Sequence, residues 1–348
     1  MIFMLSSMSS NAILAKARTM YGRRLTDKDY EDLLACKTVP EVANYLKNET
    51  VYSEILSGLN ENDVHRGQLE TLLRKKIFYE KVSLARFDMN SEKFLSVFFI
   101  NRMEIEQIMR CISLLNIGRA SEYAYEMPVF FEKHTNLNLK SFSEVTNLSE
   151  LCDVLSNTKY AKIIRPFIPQ GDEQLDVPKI ETALYTYNFN SLFESINKNT
   201  RGKEKKELLA LINAFIDFRN FVRISRLKIS YHTSEDYTRS MLLPYGRLSK
   251  AQINSLLECE SSNELMNNLK ATYIGKSLNK AEYNTQSQMI TALNSIYCKK
   301  NIRLSVNASV VMLSYVMLSE IELSNIINLI EGTRYGFSEE EKSRLLVR

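Results

Sequence analysis

The segment Arg24-Leu-Thr-Asp-Lys-Asp-Tyr-Glu-Asp-Leu-Leu-Ala-Cys36 decides the fold, because its pattern returns later in the chain as Arg247-Leu-Ser-Lys-Ala-Gln-Ile-Asn-Ser-Leu-Leu-Glu-Cys259. In both copies ten residues separate the hydroxyl residue from the cysteine, and a glutamate (Glu41 or Glu264) follows five residues later. A fixed internal spacing of this kind indicates a repeated structural element.

A weaker middle copy contains Asn147-Leu-Ser-Glu150, and the copies then lead into Thr50-Val-Tyr52, Thr158-Lys-Tyr160 and Thr272-Tyr273. The repeated hydroxyl and acidic residues have the spacing of helix N-caps, in which a side-chain oxygen accepts a hydrogen bond from a free backbone N–H. Each repeat is therefore predicted to begin with two short helices. The resulting division is repeat 1 (residues 1–126), repeat 2 (127–243) and repeat 3 (244–348).

Composition supports a helical fold. The 348 residues include only 10 Gly and 6 Pro, which is too few for a turn-rich β-sandwich or barrel. Apolar residues recur at helical spacing over residues 91–116, 204–230 and 306–331. We predict an all-α fold in which a long helix follows the short helices of each repeat.

Polar pairs interrupt these three apolar stripes, three residues apart and so on one helix face. One interpretation is that they face a central cavity and bind a partner; the alternative is that they join neighbouring helices inside the protein. Basic residues on the second long helix are candidates for contact with an acidic protein partner. The candidates are Asn101, Glu104, Asp217, Asn220, Glu322 and Asn325, with Arg223 and Arg226.

Several classes of function lack the residues they require. The sequence contains no phosphate-binding glycine loop, zinc motif or nucleophile elbow, so no catalytic residue, cofactor or metal is predicted. The net charge of +4 is small and dispersed, which argues against nucleic acid as a partner. The most apolar stretch, 306–318, is shorter than a membrane span and runs into Glu320 and Glu322, so we expect no direct membrane insertion.

Two stretches carry a resemblance to a known family. The run Glu322-Leu-Ser-Asn-Ile-Ile-Asn-Leu-Ile-Glu-Gly-Thr-Arg-Tyr-Gly336 resembles the C-terminal signature of the C subunit of bacterial and archaeal V/A-type rotary ATPases, the counterpart of the d subunit of the eukaryotic V-ATPase. The segments Ala12–Arg18 and Leu25–Leu34 resemble the beginning of that protein. The resemblance extends over almost the whole chain.

This resemblance implies three homologous helical units around a pseudo-threefold axis, forming a funnel. It implies a non-catalytic rotor component, present as one copy per complex and monomeric when isolated, which couples the central stalk (the D and F subunits) to the membrane rotor ring. The complex would hydrolyse or synthesise ATP while transporting protons or sodium ions. The chain would lie at the cytoplasmic face of the membrane, attached peripherally through the ring.

Two other functions stay open from the residues alone. One is an all-helical scaffold that binds peptides or protein helices in a groove, as solenoids do. The other is a helical enzyme for an anionic substrate, which the missing acidic and metal motifs disfavour. Closure of three repeats around an axis would separate the rotor component from an open solenoid.

Overall fold

The structure is a computed structural model that describes residues 2–60, 64–86, 94–171 and 174–347. These residues form helices joined by short connections, and no strand occurs among them. The all-α prediction is confirmed. The arrangement of three units as a funnel stays a prediction.

The α-helices fall into a long and a short class. The long helices have 19 residues or more: α1 (Ile2–Gly22), α5 (Arg66–Arg86), α6 (Phe94–Asn116), α10 (Val177–Asn199), α11 (Gly202–Ile224), α16 (Gln286–Leu304) and α17 (Ala308–Arg334). The short helices are α2 (Asp27–Ala35), α3 (Val39–Glu49), α4 (Ser53–Leu56), α7 (Tyr123–Glu126), α8 (Leu148–Val154), α9 (Lys159–Ile164), α12 (Glu235–Ser240), α13 (Lys250–Leu257), α14 (Ser262–Lys270), α15 (Gly275–Leu278) and α18 (Glu339–Ser343).

The predicted caps begin the short helices of repeats 1 and 3. Thr26 and Ser249 form reciprocal capping boxes, with Asp29 before α2 and Gln252 before α13. Thr38 and Ser261 accept hydrogen bonds from backbone N–H groups at the starts of α3 and α14. Because a cap needs only residues three positions apart, the sequence was sufficient to predict these helix starts.

Repeat 2 departs from the predicted pair of short helices. Asn147 caps α8 as expected, with its Oδ1 accepting from the Glu150 N–H. The segment before it is a 3₁₀ turn over Lys140–Ser143 rather than an α-helix. The first short helix of the pattern is therefore reduced to a single tight turn in this repeat.

The long helices follow the predicted apolar stripes. Helices α6, α11 and α17 cover residues 94–116, 204–224 and 308–331 of the predicted ranges, and residues 91–93 lie outside the described residues. After Ile224 the α-helix changes to a π-helix over Ser225–Ser230. The extra residue per turn of a π-helix rotates the side chains that follow relative to the α-helical stripe.

Contacts between Cα atoms divide the chain into two compact units. Unit 1 combines Met1–Lys93, Gly202–Ser225 and Gly246–Arg348, and unit 2 combines Phe94–Arg201 and Arg226–Tyr245. In unit 1, α17 packs against α1, α5, α11 and α16; in unit 2, α6 packs along α10 and α10 contacts α9. The division into repeats at residues 1–126, 127–243 and 244–348 is a separate description and stays a prediction.

Helix α17 is long and apolar enough to cross a membrane when judged by length and composition alone. Within the chain, 72% of its most apolar window is buried. The leucines of α2 and α3 pack against Leu323, Ile326 and Ile330 on its C-terminal half. Its apolar side chains thus contribute to the core of unit 1.

The cap of α16 provides a test of local stability. Thr285 forms a capping box with Gln288 at the start of this helix. We expect Thr285→Ala to lower the free energy of unfolding by about 1 kcal/mol, because one backbone N–H loses its acceptor. Urea unfolding followed by circular dichroism measures the change.

The matched control is Thr291→Ala on the same helix, where the hydroxyl donates to the Ser287 carbonyl of the preceding turn. That bond adds to a helix already formed, so we expect a change within about 0.5 kcal/mol. Equal losses in the two variants would contradict a specific role for the cap.

Candidate functional site

The three carboxylates among the candidate residues are buried. Glu104 on α6, Asp217 on α11 and Glu322 on α17 have exposed fractions of 6%, 1% and 3%. A buried carboxylate is costly unless it accepts hydrogen bonds or faces a positive charge. Their contacts therefore decide between the two interpretations of the polar pairs.

Glu322 uses both oxygens. Its Oε1 accepts from the Tyr52 hydroxyl at 2.9 Å, and its Oε2 accepts from Arg24 Nε at 2.9 Å and from the Leu25 backbone N–H at 3.1 Å. Burial and the nearby Glu322 charge raise the pKa of the fully buried Tyr52 well above its ordinary value. The hydroxyl therefore stays protonated and acts as a permanent donor.

Asp217 accepts from the corresponding part of repeat 3. Its Oδ2 receives the Arg247 N–H and the Tyr273 hydroxyl, both at 2.7 Å, and its Oδ1 receives the Leu248 N–H at 3.4 Å. Burial raises the pKa of Asp217, although these hydrogen bonds oppose the shift. The Arg247 guanidinium lies 4.0 Å from the centre of the Tyr273 ring and partly covers the site.

Gly246 lets the chain approach this carboxylate. Its φ is +116°, and a Cβ built on it would lie 2.2 Å from Asp217 Oδ1. Its N–H donates to Asn213 Oδ1 at 2.9 Å. A side chain at this position would therefore strain the backbone. It would also clash with the Asp217 carboxylate, which accepts hydrogen bonds from the next two backbone N–H groups.

Glu104 is bound in unit 2 by hydroxyl groups. Its Oε2 accepts from the Tyr160 hydroxyl at 2.6 Å, and its Oε1 accepts from Thr135 Oγ1 at 2.7 Å. The Lys159 ammonium lies 3.8 Å from Oε2 and donates to Asn101 Oδ1. Burial lowers the pKa of Lys159, and the Glu104 charge partly opposes that shift.

The three contacts give the carboxylates a common role. Glu104, Asp217 and Glu322 each accept from a tyrosine hydroxyl, so they are equivalent. The residue equivalent to Asn220 and Asn325 is therefore Gln107, three positions after Glu104, whereas Asn101 lies one turn earlier. Gln107 accepts from the Tyr123 hydroxyl at 2.9 Å.

In the predicted division into repeats, each tyrosine comes from a different repeat than the carboxylate that it contacts. Glu104 of repeat 1 accepts from Tyr160 of repeat 2, Asp217 of repeat 2 from Tyr273 of repeat 3, and Glu322 of repeat 3 from Tyr52 of repeat 1. Each long helix is thus joined to the short-helix region of another repeat. The sequence pattern contained these tyrosines after the repeated threonines, but it did not indicate their partners.

The remaining candidates differ in exposure. Asn325 exchanges hydrogen bonds with the Val347 backbone, at 2.8 Å and 3.0 Å, and fixes the C-terminal segment. Asn220 is buried, Arg223 is half-buried, and Arg226 is exposed at the start of the π-helix. The six polar-pair residues therefore lie inside their units, as the cross-link interpretation requires. A role of the candidates in partner binding stays a prediction.

These carboxylate sites join helices and are not suited to catalysis. The tyrosine pKa values are raised by burial and by the adjacent carboxylates, so none of these hydroxyls is prepared to act as a base or nucleophile. Within the described ranges, no group of three or more His, Cys, Asp or Glu side chains could hold a metal ion. What the arrangement provides is three strong, directional links between helices.

The link between Tyr52 and Glu322 can be tested by removing one oxygen atom. Tyr52→Phe keeps the ring and leaves Glu322 Oε1 without its donor inside the protein. We expect the free energy of unfolding to fall by about 1–3 kcal/mol, measured by urea titration. The control is Tyr125→Phe, because Tyr125 is 91% exposed. A loss of similar size in both variants would contradict the proposed link.

The close approach at Gly246 is tested by adding a methyl group. Gly246→Ala should cost roughly 3 kcal/mol of unfolding free energy, since left-handed strain adds to the contact with Asp217. Gly118→Ala separates the two effects, because Gly118 has a φ of +70° and no atom within 4 Å of the added Cβ. We expect roughly 1 kcal/mol there. Equal costs would show that the Asp217 contact contributes nothing.

Comparison with known proteins places this chain in a family. Residues 13–344 match the ATP synthase (C/AC39) subunit family. The C subunit of the A-type ATP synthase of Pyrococcus abyssi is 23% identical over 284 residues, which are 80% of this chain and 72% of that protein. The corresponding proteins of Methanocaldococcus jannaschii and Methanobrevibacter smithii are 20% and 22% identical, each over 96% of this chain and over 85% and 86% of their own lengths. The chain belongs to the ATP synthase (C/AC39) subunit family.

Proposed function

We propose that this protein is a non-catalytic rotor component of a V/A-type ATPase. The observation that carries the proposal is the family match over residues 13–344, with relatives that are C subunits of A-type ATP synthases. In this role the protein joins the central stalk, formed by the D and F subunits, to the membrane rotor ring. ATP hydrolysis or synthesis takes place in the soluble head, and protons or sodium ions cross the membrane at the ring.

The internal links suit a part that transmits torque. Close-packed helices deform little under load, and a directional hydrogen bond resists sliding of one helix along another better than apolar contact does. Each of the three long helices α6, α11 and α17 carries one buried carboxylate bonded to another repeat. We propose that these links keep the repeats in fixed register while the rotor turns.

The order of the links supports the threefold arrangement. Repeat 1 is bonded to repeat 2, repeat 2 to repeat 3, and repeat 3 back to repeat 1. An open solenoid contacts only neighbours in sequence and has no bond from its last repeat to its first. We propose on this basis a closed, funnel-like arrangement that receives the foot of the stalk. The alternative, a helical scaffold of another kind, predicts an elongated particle in solution scattering.

The proposed attachment to the membrane is peripheral. Helix α17 has the length of a span, but most of its apolar window is used by the core. Docking on the cytoplasmic side of the ring would then rely on surface residues. Of the eight candidates, Arg226 has the exposure needed for direct contact with a partner, and the buried pairs would act indirectly by holding the helices.

The deciding experiment is co-purification from cells that produce the complete ATPase. A tagged full-length chain should retain the D and F subunits after detergent extraction, together with the protein that forms the ring. In reconstituted vesicles, complex assembled without the chain should keep ATP hydrolysis by its head and lose ATP-driven ion transport. Adding back the purified chain should restore transport.

The matched control is the same preparation with Tyr125→Phe, which changes an exposed side chain and should leave both retention and transport intact. Capture of neither D and F nor the ring would contradict the proposal. Ion transport that proceeds normally without the chain would also contradict it, because a coupling component is then not required.

A further inference from the structure

A cavity in unit 1 lies beside the hydrogen bond between Tyr52 and Glu322 and has no part in that bond. It has a volume of about 370 Å³ and is bounded by the C-terminal end of α1, the beginning of α2, and α16 and α17. This volume falls in the range of small-molecule sites. The lining includes Tyr21, Tyr30 and Ser295 as polar groups without formal charge.

Positive charge exceeds negative charge on the cavity wall. Arg24, Lys299 and Arg303 line it, and Asp27 is the acidic residue among the lining residues. Arg24 donates its Nε–H to Glu322 and is also one of the residues that line the cavity. Three cationic side chains therefore converge on a space large enough to hold a ligand.

Lys299 lacks a compensating partner in the part of the chain that the structure describes. Its half-buried ammonium makes no hydrogen bond and no ion pair with those residues. Burial and the positive charges of Arg24 and Arg303 lower its pKa, and Asp27 opposes this shift only in part. This like-charge repulsion is unfavourable, and a bound anion would relieve it.

We propose that this cavity binds a phosphate group, carried by inorganic phosphate, by a small organic ester or by a lipid headgroup. Arginine forks and an ammonium suit the several acceptor oxygens of a phosphate, and tyrosine and serine hydroxyls can donate to the remaining ones. The cavity is larger than a phosphate ion alone, so space remains for the organic part of an ester. This inference does not depend on the proposed rotor function.

The test uses the purified full-length chain and inorganic phosphate at constant ionic strength. Isothermal titration calorimetry should show saturable binding, and the melting temperature should rise with phosphate concentration. Lys299→Gln should weaken phosphate binding about tenfold or more, because a charged donor is replaced by a neutral one. Without phosphate, the variant should melt at the same temperature as the parent protein or higher, which separates loss of the site from loss of folding.

The matched control is Lys300→Gln, which removes the same charge from the next, exposed residue of α16 outside the cavity. It should bind phosphate as the parent protein does. If Lys300→Gln weakens binding as much as Lys299→Gln, the attraction is diffuse and the proposed site is wrong.

A second arm identifies the source of the phosphate. Vesicles of equimolar phosphatidylglycerol and phosphatidylcholine are compared with vesicles of phosphatidylcholine alone in a flotation assay. Binding to the anionic vesicles that Lys299→Gln reduces, without binding of free phosphate, assigns the site to a lipid headgroup. Binding of free phosphate assigns it to a soluble ligand. Absence of binding in both arms overturns the proposal. A cavity that receives a carboxylate of a partner protein instead of a phosphate would give this result.

Discussion

The fold of this chain depends on one kind of hydrogen bond, from a tyrosine hydroxyl to a buried carboxylate. Burying a carboxylate is unfavourable by itself, and an apolar pair of the same shape would pack at no such cost. The arrangement nevertheless occurs on α6, α11 and α17. The benefit of a directional bond lies in selecting one arrangement of the helices, because apolar contact is non-directional.

The three links differ in a way that supports this selective role. Tyr52 and Tyr160 lie two residues after a threonine and reach a glutamate, whereas Tyr273 directly follows its threonine and reaches the shorter Asp217. At Asp217 the chain also comes closer, through Gly246 and two backbone N–H groups. Carboxylate length, tyrosine position and backbone approach thus change together, so exchanging one partner between repeats would leave a gap or a clash.

The sequence was informative where the deciding interaction is local. The hydroxyl residues that begin α2, α3, α13 and α14 cap them through residues three positions away, and the apolar stripes define the long helices. It was uninformative where the partner is distant: Tyr52 and Glu322 are separated by 270 positions, and nothing in the intervening residues encodes their contact. For the same reason the sequence did not distinguish Asn101 from Gln107, since both polar residues lie three positions from Glu104.

Burial of the polar pairs also constrains how this protein meets its partners. Side chains that are 1–6% exposed and bonded internally offer almost no surface to another molecule. These side chains therefore act inside the protein, where their hydrogen bonds keep the helices in place, while Arg226 lies exposed at the surface. Buried apolar positions tolerate substitutions that conserve volume, and surface positions are constrained only by the partner that they contact. Relatives that are 20% and 22% identical over 96% of the chain show that most positions vary within this family.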